Sequence, residues 1–156
     1  MRKSRAKKRI LIPDPKFGSS LVTRFVNNLM IDGKKSIAFK VFYGALDVVS
    51  SKVEDEEALV VWEKALENIT PHVEVRSRRV GGATFQIPQP VRDDRKTSLG
   101  MKWMISAARN RNEKTMSVNL ASEIVAAYKE EGAAYKKKMD THRMAEANKA
   151  FAHFRW

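Results

Sequence analysis

The segment that most constrains the fold is residues 73–87, where two alternating runs flank a pair of glycines. It reads Val73-Glu74-Val75-Arg76-Ser77-Arg78-Arg79-Val80-Gly81-Gly82-Ala83-Thr84-Phe85-Gln86-Ile87. A type I′ turn needs positive φ at both central positions, which glycine adopts without strain. The sequence therefore predicts a two-stranded antiparallel β-hairpin at residues 72–89.

The hairpin is unusual because arginine falls on both of its faces. Pairing of Val80 with Ala83 sets the opposing pairs, namely Arg78 with Phe85 and Arg76 with Ile87 on one face, and Arg79 with Thr84 on the other. A strand pair with so little apolar surface is not an ordinary half-buried sheet. We expect a projecting arm whose surroundings are anionic.

The charge balance supports an anionic partner. The 156 residues include 30 Lys+Arg against 18 Asp+Glu, a formal net charge of +12, and 43% of the residues are hydrophobic. That length and hydrophobic content fit one ordinary globular domain with a core. A domain this basic is typical of proteins that bind nucleic acid.

The N-terminus carries its own basic run, followed by Pro13 and Pro15. The cations are Arg2, Lys3, Arg5, Lys7, Lys8 and Arg9. Proline disfavours regular helix, and a block of like charges is typical of a disordered arm that orders on a polyanion. We predict an arm over residues 1–18 that is flexible when free, and a single domain over residues 19–156.

Helical periodicity accounts for most of the rest of the chain. Apolar residues recur at three- and four-residue spacing, which predicts six helices. The first runs from Ser19 or Ser20 to Gly33 and the second from Lys35 to Ser51, while the third opens with an acidic first turn at Glu54-Asp55-Glu56-Glu57. The fourth is capped by Arg92-Asp93-Asp94-Arg95-Lys96, the fifth runs from Thr115 to just before Gly132, and the sixth from Ala133 to Ala152. The predicted fold class is mainly α, a bundle of six helices with the hairpin between the third and fourth.

Further cations cluster where these helices are joined. The candidate nucleic-acid contacts outside the arm and hairpin are Lys34, Lys35, Arg92, Arg95, Lys96, Arg109, Arg111 and Lys114, and the last helix is also basic. A solvated surface explains any one lysine, but it is a poor explanation of so many clusters together. Arginine in the hairpin suits bidentate phosphate contacts and stacking on bases.

Several other functions lack the residues that they need. Without cysteine there is no disulfide or thiolate metal site, and no apolar run approaches the length of a membrane helix. The three histidines have no partners at metal-ligand spacing, and no nucleophile motif is present. Asp93-Asp94 fits a helix cap better than a catalytic pair. We predict no enzymatic activity, no metal and no cofactor.

The residues alone favour RNA over DNA without deciding between them. There is no recognition helix with base-reading side chains and no dimerising heptad. An arginine hairpin with scattered basic loops fits folded RNA read by its shape. Architectural DNA-binding proteins also use β-arms, so a protein of that class is the alternative.

Three long motifs, in order, resemble the bacterial small-subunit ribosomal protein seven family. They are the hairpin segment 73–84, the segments Ala108-Arg109 and Asn112-Glu113-Lys114-Thr115-Met116, and the ending Thr141-His142-Arg143 through Ala152-His153-Phe154-Arg155-Trp156. The likeness extends through the arm and the turn Asp32-Gly33-Lys34-Lys35. Gly100 and Lys102 depart from it, since the family more often has alanine and arginine there.

The resemblance implies a structural protein of the small ribosomal subunit, located in the cytoplasm. It implies primary binding to 16S-type rRNA in the 3′ major domain, nucleation of head assembly, and a position at the subunit interface near the exit-site tRNA and the messenger exit. The implied neighbours are small-subunit proteins nine and eleven, with no membrane and no homo-oligomer. The implied tRNA-facing residues are Arg78, Gly81, Gly82, Arg143, Arg155 and Trp156.

Overall fold

The computed structural model describes residues 9–154, which form six α-helices, a β-hairpin and a short 3-10 helix. The elements in chain order are α1 (Ser20–Leu29), α2 (Lys35–Lys52), α3 (Ala58–Ile69), β1 (Val73–Val80), β2 (Ala83–Pro90), α4 (Asp93–Arg109), α5 (Met116–Tyr128), α6 (Gly132–Ala147) and the C-terminal 3-10 helix (Lys149–Phe154). The predicted fold class, six helices with a hairpin between the third and fourth, is confirmed.

The core forms where the apolar stripes of the helices meet. At its centre, Phe25 of α1, Phe42 of α2 and Trp62 of α3 are fully buried, with ring centroids 5.2–5.4 Å apart. The pairs that include Trp62 are edge-to-face, a favoured geometry for aromatic rings. Helix α5 packs against α2, α3 and α4, so it is the central helix of the body.

The hairpin has the predicted register. Gly81 and Gly82 form the turn with φ of 57° and 92°, and Val80 pairs with Ala83. Arg78 therefore opposes Phe85, and Arg79 opposes Thr84. This agreement follows from turn chemistry, which is local and so is readable from the sequence.

The hairpin departs from expectation at its base. Strand β2 runs to Pro90, one residue past the predicted bound at residue 89, and Pro88 and Pro90 are both paired in register with β1. Proline is tolerated because β2 has a free edge, where no ladder hydrogen bond is required. The hairpin base is also more apolar than expected, since Ile87 is fully buried.

The acidic run before α3 lies outside the helix. The first turn of α3 contains no acidic residue, because the helix begins at Ala58 with Glu57 as its N-cap. Glu56 instead forms an ion pair with Lys64 of α3. The expected role of the four carboxylates as a first helical turn is therefore corrected to that of a preceding loop.

Two predicted helix ends also differ. Helix α1 ends at Leu29 and not at Gly33, and a turn follows in which Asp32 and Gly33 both have positive φ. The last predicted helix divides at Asn148 into α6 and the C-terminal 3-10 helix. Asn148 donates its side-chain N–H to the Met144 carbonyl at 2.7 Å and occupies the C-cap of α6.

The segment before α1 is attached to the body through Asp14. The buried Asp14 carboxylate accepts the Tyr43 hydroxyl at 2.6 Å and the backbone N–H groups of Lys16 and Phe17 at 3.1 and 2.8 Å. The Thr23 hydroxyl donates to the Ile12 carbonyl at 2.9 Å. These contacts hold residues 12–17 against the body, and the division at residue 18 stays a prediction.

Candidate nucleic-acid interface

The predicted contacts at the two ends of the chain lie mostly outside the described residues. The residues outside are Arg2, Lys3, Arg5, Lys7 and Lys8 in the arm, and Arg155 and Trp156 at the C-terminus. Arg9 is described and exposed. It lies five residues before the buried Asp14.

The ribbon presents its cations differently on its two faces. Arg79 and its neighbour Thr84 are exposed on one face. On the other face, Phe85 packs against Phe151 of the C-terminal 3-10 helix with ring centroids 5.1 Å apart, and Arg78 opposite Phe85 is half-buried. The C-terminal segment thus covers part of the Arg78 face and leaves the Arg79 face open.

Glu74 at the base of the ribbon joins two of the predicted cationic clusters. Its carboxylate accepts Arg95 of α4 at 2.8 Å and lies 4.0 Å from Arg76 Nε. The hydrogen bond to Glu74, and next its charge, raise the pKa of Arg95. Both arginines keep more than half of their side-chain surface exposed, so both still face solvent.

The hairpin base is also tied to α6. The backbone N–H of His72 donates to His142 Nε2 at 3.2 Å. Burial, and then the nearby charges of Lys138 and His72, lower the pKa of His142, which favours the neutral ring that accepts this bond. The hydrogen bond helps to fix the direction in which the ribbon leaves the body.

The start of α4 places its cations at the surface. Arg92 is the exposed N-cap residue, and Lys96 pairs with Asp93 at 2.9 Å within the first turn. Asp93 and Asp94 occupy that turn, where carboxylates complement the helix dipole. The prediction that they cap the helix is wrong, because Arg92 occupies the N-cap and makes no side-chain cap bond, while both aspartates lie inside the first turn.

Two cations that are 75 residues apart in sequence meet across one groove. The groove has a volume of about 410 Å³, and both Lys34 and Arg109 line it. Arg109 donates to the Leu29 carbonyl at 3.2 Å, and Lys35 places its Nζ 5.7 Å from the Phe39 ring centroid. The fold thus brings cations of the α1–α2 turn and of the end of α4 to one groove, whose lining also includes Asp32.

Arg111, in the loop that follows α4, forms a contact inside the protein. Its Nε donates to Glu123 Oε2 at 2.7 Å, and Glu123 is fully buried. Lys114, three residues later, is exposed. The sequence grouped Arg109, Arg111 and Lys114 together, and the structure ties Arg111 into the protein.

The remaining predicted residues are on the surface. Gly81 and Gly82 are exposed at the ribbon tip, and Arg143 is exposed on α6. The neighbouring Lys136 and Lys137 are exposed as well. Within the described residues, no group of three or more potential ligands is arranged to hold a metal ion, and no helix is long and apolar enough to cross a membrane.

Sequence reasoning missed polar residues on the outer side of α4. Lys102 and Ser106 are both exposed and line a cleft with Arg109. The signal was their spacing from Arg109 at i, i+4 and i+7, which places them on one helical face. It was overlooked because the apolar stripe of Met101, Met104, Ile105 and Ala108 dominates the same segment.

A helical body with an arginine-bearing ribbon and cationic helix junctions defines a structural nucleic-acid-binding protein. The family described as ribosomal protein S7p/S5e matches residues 1–149. The chain belongs to this family.

Similar proteins span the whole chain. It is 67% identical to the small ribosomal subunit protein uS7 of Flavobacterium psychrophilum, 62% identical to that of Cytophaga hutchinsonii and 59% identical to that of Porphyromonas gingivalis, each comparison covering 100% of both chains. The predicted family is confirmed. The chain is accordingly a structural, non-enzymatic constituent of the small ribosomal subunit.

Proposed function

We propose that the chain is a primary binder of 16S-type rRNA in the 3′ major domain and nucleates assembly of the head. The observation that carries the proposal is the convergence of cations from separate elements: Lys34 with Arg109 across one groove, and Arg76 with Arg95 around Glu74. Such a surface can engage several RNA segments at once, as an early-binding protein must.

The ribbon extends this surface away from the body. Its exposed turn and open Arg79 face can reach an RNA that does not touch the helices. We assign the ribbon tip, with Arg143 on α6, to the side near the exit-site tRNA and the messenger exit. The protein neighbours proposed there are small-subunit proteins nine and eleven of the same cytoplasmic ribosome.

Filter binding over a salt series tests the rRNA assignment. The full chain is titrated with a small-subunit rRNA head fragment and with duplex DNA of equal length. A specific RNA binder prefers the head fragment at every salt concentration, and its affinity falls steeply with salt because phosphate contacts release counterions. Equal affinity for both polymers at every salt concentration would overturn the assignment of specific rRNA binding.

The ribbon is tested by a double variant. Arg76→Ala with Arg78→Ala should weaken binding to the head fragment while the helical circular dichroism signal is retained. A control is Lys64→Ala, because Lys64 lies on α3, is not among the proposed contacts and pairs with Glu56. Unchanged RNA affinity in the double variant would remove the ribbon from the binding surface.

A further inference from the structure

A second cleft lies beside the groove described above, between α1 and the C-terminal half of α4. Its volume is about 290 Å³, and its lining consists of Asn28, Lys102, Ile105, Ser106, Arg109 and Asn110. Ile105 is 4% exposed and forms the floor. The polar members surround this apolar floor, so a ligand would be held by its edges.

The lining is positive and rich in hydrogen-bond donors. Lys102 and Arg109 are cations, Ser106 and Asn110 are neutral donors, and the lining in the described part of the chain includes no carboxylate. Lys102 forms no salt bridge among the described residues. A phosphate, with several acceptor oxygens and negative charge, matches this set of donors.

Asn28 adds an acceptor on the α1 side. Its Nδ2 donates to the Arg24 carbonyl at 2.8 Å and lies 3.8 Å from Met101 Sδ. That arrangement commits the amide nitrogen to the protein, whereas Oδ1 of this cleft-lining residue accepts no hydrogen bond from the described residues. Arg24 is itself fixed to α4, because it donates to the Asp94 carbonyl and the Ser98 hydroxyl at 2.7 Å each.

An acceptor beside a phosphate site fits one class of ligand in particular. The ribose 2′-hydroxyl can donate to Asn28 Oδ1, and DNA has no such group. We propose that this cleft binds one ribose-phosphate unit of rRNA, with its phosphate against Lys102 and Arg109 and its 2′-hydroxyl against Asn28 Oδ1. The proposal rests on the proposed function and adds a site at which RNA is distinguished from DNA.

The phosphate part is tested by the salt dependence of binding to the head fragment. Lys102→Gln keeps the length and polarity of the side chain but removes its charge. The variant should lower the slope of log affinity against log salt by about one, as expected for the loss of one phosphate contact. Lys102→Arg should restore the slope.

Lys129→Gln is the matched control, because Lys129 is an exposed lysine at the C-cap of α5 and does not line the cleft. It should leave the slope unchanged. An equal loss of slope in Lys102→Gln and Lys129→Gln would mean that general charge, and not the cleft, is responsible.

The 2′-hydroxyl part is tested by interference mapping. A pool of head-fragment RNA carrying random single 2′-deoxy substitutions is selected by the wild-type chain and by Asn28→Leu. A position at which deoxy substitution impairs binding to wild type should cease to matter for Asn28→Leu. Thermal unfolding establishes whether Asn28→Leu folds. If it does not fold, the Lys102→Gln and Lys102→Arg variants still test the cleft.

The possible outcomes are distinct for the two proposals. Identical interference maps for wild type and Asn28→Leu, or an unchanged slope for Lys102→Gln, overturn the cleft while the proposed function stands. Failure of the wild-type chain to prefer the head fragment over duplex DNA overturns both.

Discussion

Arg111 and Glu123 form an ion pair with one member fully inside the protein, the Nε to Oε2 distance being 2.7 Å. The other carboxylate oxygen of Glu123 accepts the backbone N–H of Ala134 at 2.9 Å. One side chain thus connects the α4–α5 loop, α5 and the start of α6. Asn119 adds to the same loop by donating to the Arg111 carbonyl at 2.9 Å and accepting the Glu113 N–H at 3.0 Å.

The ion pair predicts that Arg111 acts in stability more than in RNA binding. Arg111→Ala leaves a buried carboxylate without its cation, and such a change costs about 3 kcal/mol of unfolding free energy. Urea denaturation measures the loss. Lys114→Ala, an exposed change in the same loop, should stay within about 0.5 kcal/mol of wild type. A stable Arg111→Ala variant with weakened RNA binding would contradict this assignment.

The position of Glu123 in the sequence indicates that its carboxylate has a partner. Glu123 follows Leu120 by three residues and directly precedes Ile124, so it lies inside the apolar stripe of α5. A carboxylate there requires a partner, because an unpaired buried charge is costly. The partner could not be chosen from sequence, since Arg109 and Arg111 both precede α5 by only a few residues and the path of the loop decides which of them reaches Glu123.

Local and non-local features explain which other predictions succeeded. The hairpin register depends on Gly81-Gly82 and the alternation beside them, and both are local. The meeting of Lys34 with Arg109, and of Arg95 with Glu74, depends on how helices pack, which no periodicity encodes. The predicted start of α3 was wrong at Glu56, which lies in the preceding loop and pairs with Lys64 eight residues later.

The hydrogen bond from Tyr43 to Asp14 predicts a loss of stability in alkali. Burial, and then the bond to Asp14 and its charge, raise the pKa of Tyr43 from 10.0 to about 12. Between these values the unfolded chain has lost a proton that the folded chain keeps. The free energy of unfolding therefore falls as the pH rises from about 10 to about 12.

Urea midpoints measured across that pH range test the Tyr43 prediction. Tyr43→Phe removes the titrating hydroxyl and should show a flatter pH profile than wild type above pH 10. Asp14→Asn removes the hydrogen-bond acceptor and negative charge that help to raise the pKa of Tyr43, so the decline should end at lower pH and be smaller in that variant. Wild-type and Tyr43→Phe profiles that coincide would show that the contact does not contribute.

The packing around Gly100 predicts that Gly100→Ala destabilises the protein. Helix propensity alone predicts that alanine stabilises α4 at this position. Alanine is favoured over glycine inside a helix by about 1 kcal/mol. A Cβ at Gly100 would lie 2.9 Å from Thr70 Oγ1 and 3.3 Å from Leu66 Cδ1. The Thr70 hydroxyl is held by its 2.7 Å bond to the Leu66 carbonyl, so it does not turn away freely.

Gly100→Ala should therefore destabilise the chain, by about 1 kcal/mol after the propensity gain is offset by overpacking. The double variant Gly100→Ala with Thr70→Ala removes the obstructing hydroxyl. Its loss of unfolding free energy should be smaller than the sum of the losses in the two single variants. A double-mutant cycle of thermal unfolding measures the difference. Additive effects would show that the two positions do not interfere.

The contact between Phe85 and Phe151 predicts that the C-terminal 3-10 helix steadies the ribbon. The two rings lie 5.1 Å apart at a tilt of 52°, and Phe85 is the ring that the ribbon contributes. Aromatic pairs of this kind contribute about 1 kcal/mol beyond the area that they bury. Phe151→Ala should accordingly speed amide exchange in the outer half of the hairpin about fivefold, with little change in the buried helices.

Met144→Ala, a change of an exposed side chain on α6, is the control and should leave the ribbon amides unaffected. Hydrogen exchange followed by NMR reports both regions in one experiment. An unchanged exchange rate around Arg78 in Phe151→Ala would show that the ribbon holds its position without the C-terminal segment.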